Sequence, residues 1–241
     1  MPQEKSLSTL TKAYVWEIER LAADYLQKYG TTMRIMDILS EDRENFKNIG
    51  IQSTGTSSGW TGHVYELLTT SFIKQGLLHL LDDTGWSEGM PFDKGYALKG
   101  TLGGSKKDLQ LHLNSRIILG GGKKKRPDIS LTLEDKFIAV LEIKSSVSND
   151  RTELSRVLNS LCDYEASLRE SPECVFSLVF YGLHWTIGAL DEYSTPDNFM
   201  FISSNKLHGG TPDKESNFKG TRYDIGHLVQ TLVKKIESSI K

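Results

Sequence analysis

Arg126-Pro127-Asp128-Ile129-Ser130-Leu131-Thr132-Leu133 and, beyond a polar Glu134-Asp135-Lys136, Phe137-Ile138-Ala139-Val140-Leu141-Glu142-Ile143-Lys144 decide how this chain is read. In the first run Ile129, Leu131 and Leu133 alternate with Asp128, Ser130 and Thr132. In the second, Phe137, Ala139, Leu141 and Ile143 alternate with Ile138, Val140, Glu142 and Lys144. Both have the two-residue period of strands, and the connection is short enough for a hairpin. A register centred on Asp135 pairs Leu133 with Phe137, Leu131 with Ala139 and Ile129 with Leu141. It then sets Asp128 opposite Glu142, at the closest approach two strands allow. Lys144 shares that face, because side chains two apart on a strand point the same way. The odd-numbered apolar residues would line the core, and the Asp, Glu and Lys would gather on the other face. A slip of one residue would lose both results.

Two carboxylates that close repel, and one raises its pKa unless a cation lies between them. Mg²⁺ suits such a place, since it takes oxygen ligands and keeps waters that a substrate phosphate can replace. It polarises a phosphoryl oxygen and eases formation of hydroxide from water. A neighbouring lysine can orient the attacking water or stabilise charge growing on phosphate.

Pro127-Asp128 with Glu142-Ile143-Lys144, the Glu 14 positions after the Asp, resembles the signature of the PD-(D/E)xK nuclease superfamily. The resemblance covers roughly residues 60–182. It implies a restriction-endonuclease-like α/β fold, a mixed central sheet flanked by helices. It also implies Mg²⁺ (Mn²⁺ able to substitute) held by Asp128 and Glu142, with Lys144 assisting the water. Many members carry a further Glu on the helix before the catalytic sheet, and Gly62-His63-Val64-Tyr65-Glu66 is similar to that pattern. Glu66 is thereby expected as a third metal-site and catalytic carboxylate.

Gly120-Gly121-Gly122-Lys123-Lys124-Lys125-Arg126 stands immediately before Asp128. Lys123, Lys124, Lys125 and Arg126 would attract a phosphate backbone at the place where it must meet the metal. The chain's formal net charge is −2, so any nucleic-acid contact is expected through this local patch rather than through overall basicity.

At 241 residues, 38% hydrophobic and 25% charged, the chain is expected to form one compact domain. An N-terminal helical element over 1–50 would pack on a nuclease domain over 51–241. No apolar run approaches a membrane span. Met1-Pro2-Gln3-Glu4-Lys5 lacks the apolar core of a signal peptide. Cys162 and Cys174 form neither a zinc pattern nor a disulfide framework. A cytoplasmic location is therefore expected.

Helices are expected over 7–29, 33–48, 63–80, from about Asp150, and over 223–240, the last with Ile225, Leu228, Val229, Leu232, Val233 and Ile236 buried. Residues 82–104 read as loop or short strand. A strand over 109–113 is expected, with 116–119 extending it. Strands are also expected over 174–181, 185–190 and 198–202. On the helix after Lys144, Leu154, Val157, Leu158, Leu161 and Leu168 would bury one face, with Arg151, Arg156 and Tyr164 on the surface. Strand, helix, strand at this spacing reads as a parallel crossover.

The resemblance implies a Mg²⁺-dependent endonuclease for double-stranded DNA, most naturally a type II restriction enzyme. It would act as a homodimer if its site is palindromic. The alternatives are another nuclease of this superfamily in repair, recombination or transposition, or a non-catalytic DNA-binding module of the same fold.

Overall fold

A computed structural model describes residues 60–81, 87–88, 96–102, 105–113, 116–118, 122, 124–144, 151–168, 171, 173–180, 192–203 and 221–240, with Arg20, Asp24 and Gln27. Apart from Arg20, Asp24 and Gln27, the N-terminal helices expected over 7–29 and 33–48 lie outside these residues, as do the strand expected over 185–190 and the polar stretch 205–220. Arg20, Asp24 and Gln27 are helical, and Arg20 pairs with Asp24 at 2.7 Å.

The hairpin sits at the centre of an eight-stranded mixed sheet. In chain order the elements are α1 (Trp60–Leu80), β1 (Ser87–Glu88), β2 (Tyr96–Leu102), β3 (Ser105–Leu113), β4 (Ile117–Ile118), β5 (Lys124–Lys125), β6 (Ile129–Leu133) and β7 (Lys136–Lys144). They continue with α2 (Arg151–Ser167), β8 (Val175–Phe180), β9 (Phe199–Ser203), β10 (Arg222–Tyr223) and α3 (Ile225–Ser238). The large sheet runs β1-β2-β3-β6-β7-β8-β9-β10, and β4 pairs with β5 alone. Strands β1 to β7 in that row are antiparallel, and β7 to β10 are parallel. The β7–α2–β8 crossover thus joins two parallel strands, as the spacing implied.

Helices cover both faces. On one, Phe72, Ile73 and Leu77 of α1, Leu81 just after it, and Leu228, Val229 and Leu232 of α3 pack on Leu109, Leu111, Ile129, Leu131, Leu141 and Ile143. On the other, Leu154, Val157, Leu158, Leu161 and Tyr164 of α2 pack on Val140, Phe176, Leu178 and Phe201. This corrects the expected two-sided hairpin: the even-numbered face is a second core, and β6 is buried along its whole length. Ser130 and Thr132 are buried with it.

The pairing near the turn also differs from the expectation. Glu134 and Asp135 both have positive φ, 51° and 64°, which makes a two-residue turn of the kind that matches strand twist. Leu133 pairs with Lys136 and Thr132 with Phe137; the register then shifts, and Leu131 pairs with Ala139. Ile138 is the extra residue of a β-bulge. It lies in the same core cluster as its neighbour Ala139, whereas regular strand residues alternate. The turn is tied to β3 by Glu134 N donating to Asp108 O and Asp108 N donating to Glu134 Oε1, both at 2.9 Å.

Three further expectations are adjusted. Residues 96–102 form a full strand at the sheet's antiparallel side; its glycine and lysine break the apolar alternation that would have revealed it. Residues 117–118 do not extend β3 but form the separate ribbon with β5. The final helix lies within the expected 223–240 and starts at Ile225 because Asp224 caps it, accepting from His227 N. All six apolar residues expected to be buried on it are buried. Among the described residues no helix is long and apolar enough to cross a membrane.

Gly76 of α1 packs tightly on Val229 of α3: an added Cβ would lie 2.7 Å from Val229 Cγ1 and 3.1 Å from Cγ2. Val229 is stiff at χ1 and cannot swing aside. Overpacking costs about 1–3 kcal/mol, against a helix-propensity gain of about 1 kcal/mol. Gly76→Ala is therefore expected to lower stability in denaturant titrations, and the loss should vanish in a Val229→Ala background.

Candidate active site

The bulge restores the register on which the site depends. Without it, the two-residue turn would carry Asp128 level with Leu141. With it, Ile129 pairs with Leu141 and Ser130 with Val140, so the next step brings Asp128 level with Glu142. Pro127, buried, holds the chain extended into β6 and donates no hydrogen bond there. Asp128 Oδ2 accepts from Ile143 N at 2.6 Å, which fastens the carboxylate to β7 just past the end of the paired ladder.

Lys144 lies between the two acids. Its Nζ is 3.5 Å from Asp128 Oδ2 and 3.7 Å from Glu142 Oε2. Glu142 is only 8% exposed. Burial, and then the charge of Asp128, push its carboxyl up to about 7, against the pull of Lys144. Burial raises Asp128 too, opposed by Lys144 and by the Ile143 N–H, and the charge of Glu66 adds to the rise. Glu66, half-buried near the start of α1, therefore acts on Asp128 electrostatically. Among the described residues, however, no group of three or more His, Cys, Asp or Glu side chains converges as a cation cage. The structure brings Asp128, Glu142 and Lys144 together, with Glu66 acting on Asp128 through its charge.

Tyr164 corrects a surface assignment. It is 1% exposed, in the cluster beneath α2, with its hydroxyl within hydrogen-bonding reach of Ser160 and Glu142. Burial first, and then the charge of Glu142, push its phenol well above the usual value. The signal was present in the sequence: Leu154, Leu158, Leu161, Tyr164 and Leu168 follow one helical stripe.

The basic run divides in two. Lys125 Nζ pairs with Asp163 Oδ2 at 2.6 Å, donates to Ser160 Oγ at 3.2 Å, and sits 5.2 Å from the centre of the Tyr164 ring. It is an anchor to α2, which corrects its expected place among solvent-facing phosphate contacts. Lys124 and Arg126 are exposed. Lys123 lies outside the described residues.

No protein-family model, curated protein or solved structure matches this chain.

What the arrangement can do follows from its charges. Two largely buried carboxylates share one lysine; burial raises both, and the charge of Asp128 adds to the rise of Glu142. The donor set therefore suits a hard divalent ion, because Mg²⁺ commonly takes one or two carboxylates and fills its remaining positions with water and phosphate oxygen. The linkage has a definite sign. Folded Glu142 holds its proton to about 7, and an unfolded Glu releases it near 4.5, so the folded state binds more protons between those values. Stability of the metal-free protein should fall as pH rises through that window. Thermal melts should show this fall in wild type and its loss in Glu142→Gln. Adding Mg²⁺ above the window should raise the wild-type melting temperature and leave that of Glu142→Gln nearly unchanged.

Proposed function

We propose that the chain is a Mg²⁺-dependent endonuclease of double-stranded DNA, of PD-(D/E)xK kind and restriction-endonuclease-like fold, most specifically a type II restriction enzyme. The observation that carries this reading is the meeting of Asp128, Glu142 and Lys144 at one end of β6–β7, with both acids raised by burial and Glu142 raised further by the charge of Asp128. An antiparallel hairpin leading into a parallel crossover, with helices on both faces, supports the same reading.

Asp128 and Glu142 would hold the ion. Asp128 has Oδ2 committed to Ile143 N, which fixes the direction of the other oxygen. A bound Mg²⁺ supplies polarisation of the scissile phosphate and a lower pKa for water. Lys144, between its two acidic neighbours, is placed to orient the attacking water and to stabilise charge on the phosphate oxygens. Burial by α2 keeps the local dielectric low, which strengthens each of these effects. Tyr164 holds Glu142 from below. Two copies acting about a two-fold axis would cut both strands of a palindromic site.

The test is incubation of the purified protein with phage DNA in Mg²⁺, in Mn²⁺ and in EDTA. Discrete fragments with either metal and none in EDTA are expected. Asp128→Asn and Glu142→Gln should abolish cutting with the fold intact, and Lys144→Ala should slow it about a hundredfold or more. A smear or end-trimmed product would move the reading to another nuclease of the superfamily. A folded protein that leaves DNA whole under every metal condition, or an Asp128→Asn variant that cuts normally, would overturn it.

A further inference from the structure

The β4–β5 ribbon has two distinct faces. Ile117 pairs with Lys125, and Ile118 with Lys124. Ile117 is 8% exposed and belongs to the cluster beneath α2, while Lys125 is tied to Asp163 and Ser160. That pair fastens the ribbon to the body. The other pair faces out: Lys124 is exposed, and Ile118 is 71% exposed, the one exposed large apolar side chain among the described residues. The alternation continues on both sides, with Arg116 and Arg126 exposed and Pro127 buried.

Continuing the register one step sets Arg116 opposite Arg126. Like charges directly across a strand pair are destabilising. Among the described residues no acidic side chain is recorded against Arg116, Lys124 or Arg126. An outward row of three cations around one bare isoleucine is complementary to a polyanion that also offers apolar surface. Such a ligand is nucleic acid, with phosphates for the cations and sugar or base for the isoleucine. Position adds to this, because Arg126 stands two residues before Asp128, on the chain that enters the candidate active site.

We infer that the outward face of this ribbon, Arg116, Ile118, Lys124 and Arg126, is a duplex-DNA grip that seats the substrate backbone against Asp128 and Glu142. The inference rests on the proposed nuclease function and deepens it. It adds Arg116 and Ile118 to the substrate contacts, removes Lys125 from them, and gives the members separable physical roles. The three cations bind by displacing counterions, so each contributes to the salt dependence. Ile118 binds by apolar contact and contributes affinity without salt dependence.

The experiment is fluorescence anisotropy with a labelled random-sequence duplex in EDTA, over a range of salt concentrations, for wild type, Ile118→Ser and the triple variant Arg116→Gln/Lys124→Gln/Arg126→Gln. All the substituted side chains are exposed, and circular dichroism melts check that folding is kept. The triple variant should flatten the slope of log affinity against log salt by roughly 2–3. Ile118→Ser should weaken binding about fivefold at every salt concentration with the wild-type slope. If wild type binds and both variants match it in affinity and slope, the ribbon is not the grip, and the nuclease reading stands without it. If wild type itself fails to bind at low salt, both proposals fall.

Discussion

The register of β6 on β7 is the constraint on which the rest of the structure depends. A two-residue turn with positive φ at Glu134 and Asp135 would, by itself, bring Asp128 level with an aliphatic residue. One extra residue, Ile138, corrects the offset and puts the two carboxylates at the same level. The same step keeps Ile129, Leu131, Leu141 and Ile143 together beneath α1 and α3. Core packing and site assembly therefore favour the same register. Burying Ile138 beside Ala139 offsets the cost of breaking the ladder there.

The charges of the site are set by what covers the even-numbered face. Had that face been open to water, Asp128, Glu142 and Lys144 would make a solvated cluster with ordinary carboxyl groups. Instead α2 lies over it, and Glu142 shares a dry layer with Val140, Leu178 and Tyr164. Burying two acids with one lysine leaves an excess of negative charge when both ionise, which a divalent ion would neutralise. The strut from Lys125 to Asp163 and Ser160 joins the basic ribbon to the same helix that carries Tyr164. The exposed cations of the ribbon and the acids of the site are thus mounted on one support.

Much of this was legible in the sequence because the periodicities are clean. The alternation of Ile129 to Leu133, the continuous apolar run ending at Phe180, and the stripe of α3 each gave an element close to its observed bounds. The level of Asp128 with Glu142 was also legible, although reached through a symmetric three-residue connection that the chain does not use. A turn and a bulge that cancel leave the distal pairing unchanged, so pattern reading cannot tell the two routes apart. Burial of the even face was missed because Ser130, Thr132, Glu142 and Lys144 look like a solvated row. Only the tertiary placement of α2 reveals otherwise. Lys125 looked like its neighbours in a charge run; strand alternation about Pro127 separates it from Lys124 and Arg126 once the ribbon is known.

The most direct measurement is a carboxyl-carbon NMR titration of metal-free protein, with Asp128→Asn alongside. Glu142 should titrate near 7 in wild type, move down toward the ordinary carboxylate range when Asp128 loses its charge, and lose its proton at lower pH when Mg²⁺ is added. A Glu142 that titrates in the ordinary range, unmoved by the Asp128 substitution or by Mg²⁺, would contradict the paired, cation-seeking site.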